Sequence, residues 1–339
     1  KILYQINMKY VLIFFILLII ELIYFKIADK FNIIDKPNLR SSHSHITLLG
    51  GGIIFVISMW LYAVFFNQVN ANIYFLLGLT LIATVSFIDD LHSLPKIYRL
   101  LFHMLALLLM CCQWGFSLAL WWIIIPLLIV AIGLMNIYNF MDGINGITAA
   151  YSIAVLIPLM YLNESINYID KDYFIVIIMA VLIFSFFNFR TNAKCFAGDV
   201  GSFSMIFILL FAMGSLMIAT QEYWTFIFFA VYGVDGVLTI IHRIYLRENI
   251  TAAHRKHVYQ IMANELKIKH IYVSLIYMLL QLLVSFGAIY FPFNRYIYAI
   301  IILLLLSIIY IIFMKKNYYL HKIYLLEKQK DEAVKKTKA

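Results

Sequence analysis

Tyr296-Ile-Tyr-Ala-Ile-Ile-Ile-Leu-Leu-Leu-Leu-Ser-Ile-Ile-Tyr-Ile-Ile-Phe-Met314 carries no charged residue and lies between Arg295 and Lys315. The hydrocarbon core of a bilayer is about 30 Å thick and takes about 20 apolar residues of helix. The stretch therefore predicts a membrane span. The same reading recurs along the chain, at about 8–27, 48–67, 72–88, 98–114, 118–135, 147–162, 173–187, 200–219, 223–241 and 271–291, which gives eleven expected spans. Composition agrees: 64% of the 339 residues are hydrophobic and 13% charged, against about 45–50% and about 25% in a soluble domain. Those values exclude an ordinary globular protein, a disordered chain and a disulfide scaffold. The expected fold is all-α, a polytopic helical membrane protein. Residues 1–314 would form one transmembrane domain and 315–339 a basic tail.

An odd number of spans puts the termini on opposite sides, and Lys and Arg accumulate in cytoplasmic loops. Of the 26 Lys and Arg residues, 22 fall in 26–47, 89–99, 136–146, 188–199, 242–270 and 315–339. The others are Lys1, Lys9, Lys171 and Arg295. The first set is therefore expected to be cytoplasmic, with the N-terminus outside and the C-terminus inside. Much of the net charge of +9 comes from the tail, which carries eight Lys. Such a segment suits anionic lipid, at about 1 kcal/mol per basic residue, and nucleic-acid binding is not expected. Three cysteines are too few for a disulfide framework. No cleavable leader is evident after the first span, and Met8-Lys9-Tyr10 reads as a natural start, with residues 1–7 an upstream extension.

Nearly all the Asp, His, Asn and Gly punctuation lies in the loops expected to be cytoplasmic. Phe87-Ile-Asp89-Asp90 ends the third span. Two adjacent carboxylates repel each other, and a helix C-terminus is already negative, so a bound divalent cation would explain the pair; a solvated helix end is the plainer alternative. Oxygen ligands beside phosphates suit Mg²⁺. In Asn136-Ile-Tyr-Asn139-Phe-Met-Asp142-Gly143-Ile-Asn145-Gly146 two amides share a helix face before a tight turn, though Asp-Gly and Asn-Gly also form turns unaided. Asp199, in Lys194-Cys-Phe196-Ala-Gly198-Asp199-Val-Gly201-Ser202, is either the N-cap of the next span or part of a phosphate site at a helix N-terminus. Asp235, within the ninth span, is functional by default or a structural partner of Arg243 or of backbone. His254-Arg255-Lys256-His257 forms a basic cluster whose two His share a face if the segment is helical; it suits an anionic substrate better than a metal. Gly50-Gly51-Gly52 says little alone. Carboxylates in three loops on one membrane face, with cationic groups beside them, are what phosphoryl transfer needs.

Taken together, Asp35-x-Pro37-Asn38-x-Arg40-Ser41-Ser42-His43, Asp89-Asp90, Asn136-x-x-Asn139-Phe-Met-Asp142-Gly143, Gly198-Asp199-Val-Gly201-Ser202 and His254-Arg-x-His257-x-Tyr259-Gln260 resemble, in order, the motifs of the bacterial polyprenyl-phosphate N-acetylaminosugar-1-phosphate transferases. This is glycosyltransferase family 4, MraY/WecA-like, and the His motif looks like its O-antigen-initiating branch. The resemblance covers Asp35 to Gln260. It implies a bacterial inner-membrane enzyme that moves a sugar-1-phosphate from a UDP-N-acetyl sugar to undecaprenyl phosphate, releases UMP and requires Mg²⁺, or Mn²⁺ in its place. It implies metal or catalytic roles for Asp89, Asp90 and Asp199. His254 and His257 would contact donor phosphates, and Asn139 and Asp142 would line the nucleotide-sugar site. Arg40, His43, Asn136, Asn145, Lys194, Arg243 and Arg255 complete the expected substrate contacts, and a homodimer is among the expected assemblies.

Two departures stand out. The family usually has a second Asp where this chain has Asn145, and a basic residue with Pro-Thr-Pro before the Gly triplet where this chain has Ile46-Thr47-Leu48-Leu49. Two other readings compete. A transporter would place polar sites near the midplane on broken helices, and here they cluster at one face. An intramembrane prenyltransferase would repeat its Asp-rich motif, whereas Asp89-Asp90-Leu-His-Ser adds no further Asp.

Overall fold

The computed structural model describes residues 2–37, 42, 45–250 and 254–337. The elements are α1 (Ile2–Lys30), β1 (Ile34–Asp35), β2 (Thr47–Leu48), α2 (Ile53–Phe65), α3 (Ile73–Leu91), α4 (Lys96–Gln113), α5 (Trp121–Phe140), α6 (Ile147–Ile166), α7 (Lys171–Asn188), α8 (Gly198–Thr220), α9 (Ala230–Tyr245), α10 (Val258–Asn264), α11 (His270–Tyr290) and α12 (Arg295–Thr337). Among the described residues, ten helical segments are long and apolar enough to cross a membrane. The chain is an all-α polytopic membrane protein.

The second expected span is shorter than the sequence suggests. The apolar run 48–67 yields only the 13 residues of α2, about 20 Å at 1.5 Å per residue. Its first part is used differently. Leu48 bridges to Cys195, Phe196 N–H donates to Leu48 O, and Gly51 and Gly52 N–H donate to Phe196 O and Ala197 O. Gly52 then lies so close to Gly201 that a Cβ on it would stand 2.2 Å from the Gly201 Cα. The glycine triplet is thus a close-packing seam between the lead-in to α2 and the start of α8. At the other end of the chain the difference has the opposite sign. α12 does not stop at Met314 but continues through the basic segment to Thr337.

α8 is the central helix, buried almost throughout, with α2, α3, α5 and α6 packed around it. Stacked rings fill the α3–α8 contact, with Phe75 lying 4.2 Å from Phe211 between ring centroids. The six loops expected to share one face do meet there. β1 pairs with β2, Asp90 meets Asp199, Asn145 meets Arg190, Asn264 meets Ser42, and Glu265 meets His321. The opposite end is held by Lys9 to Phe65 O, Tyr10 to Asp172 and Gln68 to Asp170.

Candidate active site

The Asp pair at the end of α3 has protein partners. Asp90 accepts from the backbone N–H groups of Asp199 (2.9 Å) and Val200 (3.0 Å). It therefore satisfies two of the donors that every helix N-terminus leaves open. Asp199 is not the N-cap of α8; it is capped from α3. The turn that allows this is at Gly198, whose φ of +73° suits glycine and whose added Cβ would meet Asp90 Oδ2 at 2.6 Å. Asp89 accepts from Leu94 N–H (2.6 Å) and from Arg99 Nη1 (2.5 Å). The cost of two carboxylates at a helix C-terminus, which from sequence calls for a cation, is met here by Arg99 and by the N-terminus of α8.

Arg99 also reaches Asp199, with Nη2 3.4 Å from Oδ2. Asn139, on the last turn of α5, donates to Asp199 Oδ1 (2.8 Å) and to Ser202 Oγ (2.9 Å). Asp142, just past that helix, accepts from the Thr148 hydroxyl. Burial, with the nearby Asp199 charge, raises its pKa from the ordinary Asp value to about 6, against the pull of the Thr148 bond. Asn136 turns its amide back onto Ile132 O of its own helix.

The His segment is an extended loop, not a helix; α10 begins at Val258, with His257 before it. The two rings still come together, 5.0 Å apart, against Phe140 at 6.2 and 6.5 Å. Asp235 holds this loop rather than Arg243. Its carboxylate accepts from Val258 N–H (3.1 Å) and Tyr277 OH (2.6 Å) and lies 3.3 Å from His257 Nδ1. His257 Nε2 and His254 Nδ1 are buried and have no hydrogen-bond partner among the described residues. Burial, with His257, Arg243 and Lys256 nearby, lowers the His254 pKa to about 3. His254 is therefore neutral at pH 7 and offers a hydrogen bond, not the cationic clamp that its neighbours in sequence suggest.

Arg243, Arg255 and Lys194 have other partners in the structure. Arg243 is buried and clamps the following loop, donating to Ile250 O, Asn249 O and Glu248. Arg255 is paired with Glu265. Lys194 lies over the Phe25 ring, beside a groove of about 670 Å³ that borders α1. Arg40 and His43 fall outside the described residues. Asn145 donates through its amide to Arg190 O (2.8 Å) and Thr191 O (3.0 Å). An Asp there would oppose two carbonyls with acceptors only, which explains the departure at this position. Asn145 also lines a cavity of about 450 Å³ with Thr191, Asn192, Phe196, Asn264 and His270, within the usual range for small-molecule sites.

Arg99 is the site residue that sequence reasoning misses. Its signal is faint: one basic residue in the first turn of α4, ten positions after Asp89.

Among the described residues no three His, Cys, Asp or Glu side chains are arranged to hold a metal alone. The donor set nevertheless suits a hard cation. Asp199 offers a carboxylate whose side chain is 28% exposed and reachable, with the Asp142 charge nearby. Mg²⁺ at phosphate sites commonly takes one or two carboxylates, with water and phosphate oxygens completing its shell.

The model of glycosyl transferase family 4 matches residues 72–221, which include Asp89, Asp90, Asn139, Asp142 and Asp199. The chain is 26% identical over 264 residues to a probable undecaprenyl-phosphate N-acetylglucosaminyl 1-phosphate transferase of Bacillus subtilis, covering 71% of this chain and 73% of the relative. It is 25% identical over 211 residues to the phospho-N-acetylmuramoyl-pentapeptide-transferases of Thermotoga petrophila and Thermotoga maritima, in each case covering 56% of this chain and 67% of the relative.

Proposed function

We propose, from the premise that this chain is a phosphosugar transferase of the glycosyl transferase family 4 type, that it moves an N-acetylated sugar-1-phosphate from a UDP-sugar to undecaprenyl phosphate, releasing UMP. In a bacterial inner membrane this would begin a cell-surface glycan, with the loop face cytoplasmic. The observation that carries the reading is the Asp199 carboxylate. It is held by Asn139 and Arg99, aligned by Asp90 through the start of α8, and followed at Phe196 by a cavity of nucleotide size.

In this reading the donor lies in the cavity lined by Asn145 and Phe196, with its diphosphate toward Asp199 and the unpartnered nitrogens of His254 and His257. Asp199, with Asp142 nearby, would hold Mg²⁺, which when bound offsets phosphate charge. Asp90 serves as a positioning residue, because both its oxygens are bonded to the backbone of α8. A lipid phosphate with a second pKa near 6 is mostly a dianion at pH 7. Its oxygen can attack the sugar-side phosphorus without a base, which matters because Asp89 is already engaged by Arg99 and by Leu94 N–H. The new P–O bond forms as the bond to UMP breaks, and UMP leaves with that electron pair. The bond from sugar to phosphorus is untouched, so the anomeric configuration is retained.

The test is purified protein with undecaprenyl phosphate and a panel of UDP-N-acetyl sugars, scored for UMP with and without EDTA. One donor should release UMP, EDTA should abolish release, and Asp199→Asn should lower kcat at least 10²-fold, about 2.7 kcal/mol, in a folded protein. Full turnover in EDTA would remove the metal from the account, and no UMP from any donor would remove the reaction.

A further inference from the structure

The α12 extension does more than carry charge. His321, 2% exposed, places Nδ1 3.0 Å from Glu265 Oε1, and the same oxygen accepts from Arg255 Nη2 at 3.0 Å. The Arg255 guanidinium lies 4.1 Å over the Tyr324 ring, and the Lys256 ammonium 5.7 Å over the Tyr318 ring while it pairs with Glu248. Four consecutive residues are thus sorted to two sides. His254 and His257 face Phe140, while Arg255 and Lys256 face α12. Asp235 fixes the His257 end of this loop; Glu265 and the aromatic rings of α12 fix its middle.

Glu265 joins three pieces of chain. It follows α10, takes the basic arm of the His loop, and takes a histidine from the helix beyond Met314. All three side chains are at most 9% exposed, so the arrangement is a buried polar lock and not a solvated surface pair. Removing Glu265 leaves the buried Arg255 charge without its partner, which such sites tolerate poorly, whereas removing His321 keeps the Arg255–Glu265 pair and frees only the α12 side of the lock. A carboxylate oxygen only accepts, so the His321 ring offers its Nδ1–H to Oε1.

We propose that Glu265 and His321 form a latch through which the extension of α12 positions His254 and His257 at the site. As far as turnover is concerned, this rests on the transferase reading above; the latch is also measurable without it. The full chain in detergent is compared with His321→Ala, His321→Gln, Glu265→Gln and the double variant Glu265→Gln/His321→Ala. Two readouts are taken: amide hydrogen exchange across 256–264, and kcat and KM for the UDP-sugar that releases UMP.

His321→Ala should speed exchange across 256–264 and lower kcat at least tenfold, with thermal unfolding little changed. His321→Gln, whose amide can still donate to Oε1, should recover most of both. The double variant should be no worse than the more damaged single one. Exchange and kcat within twofold of the parent in His321→Ala would overturn the latch. So would equal damage in His321→Ala and His321→Gln. If the parent chain transfers nothing to the lipid, the function is wrong and the exchange arm alone decides the latch.

Discussion

Asp90 and Asp199 are 109 residues apart and joined by a hydrogen bond, and this explains why roles at the site were only half legible. The residue types and their shared face could be read from the sequence. The division of labour could not, because it depends on which oxygen meets which amide. Asp142 and His254 give the sharpest predictions at this scale. With its pKa raised to about 6, Asp142 is ionised above that pH and neutral below it. If its carboxylate serves the donor site, kcat/KM should fall as pH drops through about 6, and Asp142→Asn should flatten that limb. For stability the sign is reversed. The folded state disfavours the ionised form, so this contribution is present below the unfolded value near 4 and lost as pH rises through 6. Asp142→Asn should therefore unfold at a higher temperature at pH 8, and a lower one would contradict the buried-charge account. For His254, neutral by the same kind of reasoning, Gln should retain activity within about tenfold. Ala should cost about 2–4 kcal/mol if the ring stabilises transition-state charge. Parallel pH–rate profiles and equal losses in the two His254 variants would mean the ring does no more than fill space.

Among the elements, the lead-in to α2 and the whole of α12 depart most from expectation. Gly50-Gly51-Gly52 counts as apolar in a hydropathy window, yet its use is steric. Only glycine lets this segment run against Phe196, Ala197 and Gly201. Periodicity carries no sign of that, since the partner lies some 150 positions on. The end of α12 is hidden for another reason. Lysine and tyrosine turn the hydropathy off at Lys315, but they do not break a helix, and the contacts with Arg255 and Glu265 reward its continuation. A direct check on the seam is Gly52→Ala. Its Cβ would stand 2.2 Å from backbone, so neither partner can rotate away. Overpacking of this kind costs about 1–3 kcal/mol and should lower the unfolding temperature in detergent. Gly133→Ala, where an added Cβ meets nothing within 4 Å, should not. Equal behaviour of the two would mean that the seam gives way freely.

For the whole molecule, alternation of apolar runs and the one-sided distribution of Lys and Arg were enough to assemble six loops on one face. Orientation in the membrane rests on that charge count, and thiol labelling tests it. With Cys111, Cys112 and Cys195 replaced, a cysteine at position 192 should react only from the cytoplasmic side and one at position 164 only from outside; the reverse pattern would turn the site outward. The central claim concerns which bond breaks. A UDP-sugar labelled with ³²P at the sugar-linked phosphate, given to the purified protein with undecaprenyl phosphate, should deliver the label to the lipid product and leave unlabelled UMP. Label recovered in UDP, with sugar alone on the lipid, would mean attack at the sugar carbon and would contradict the account.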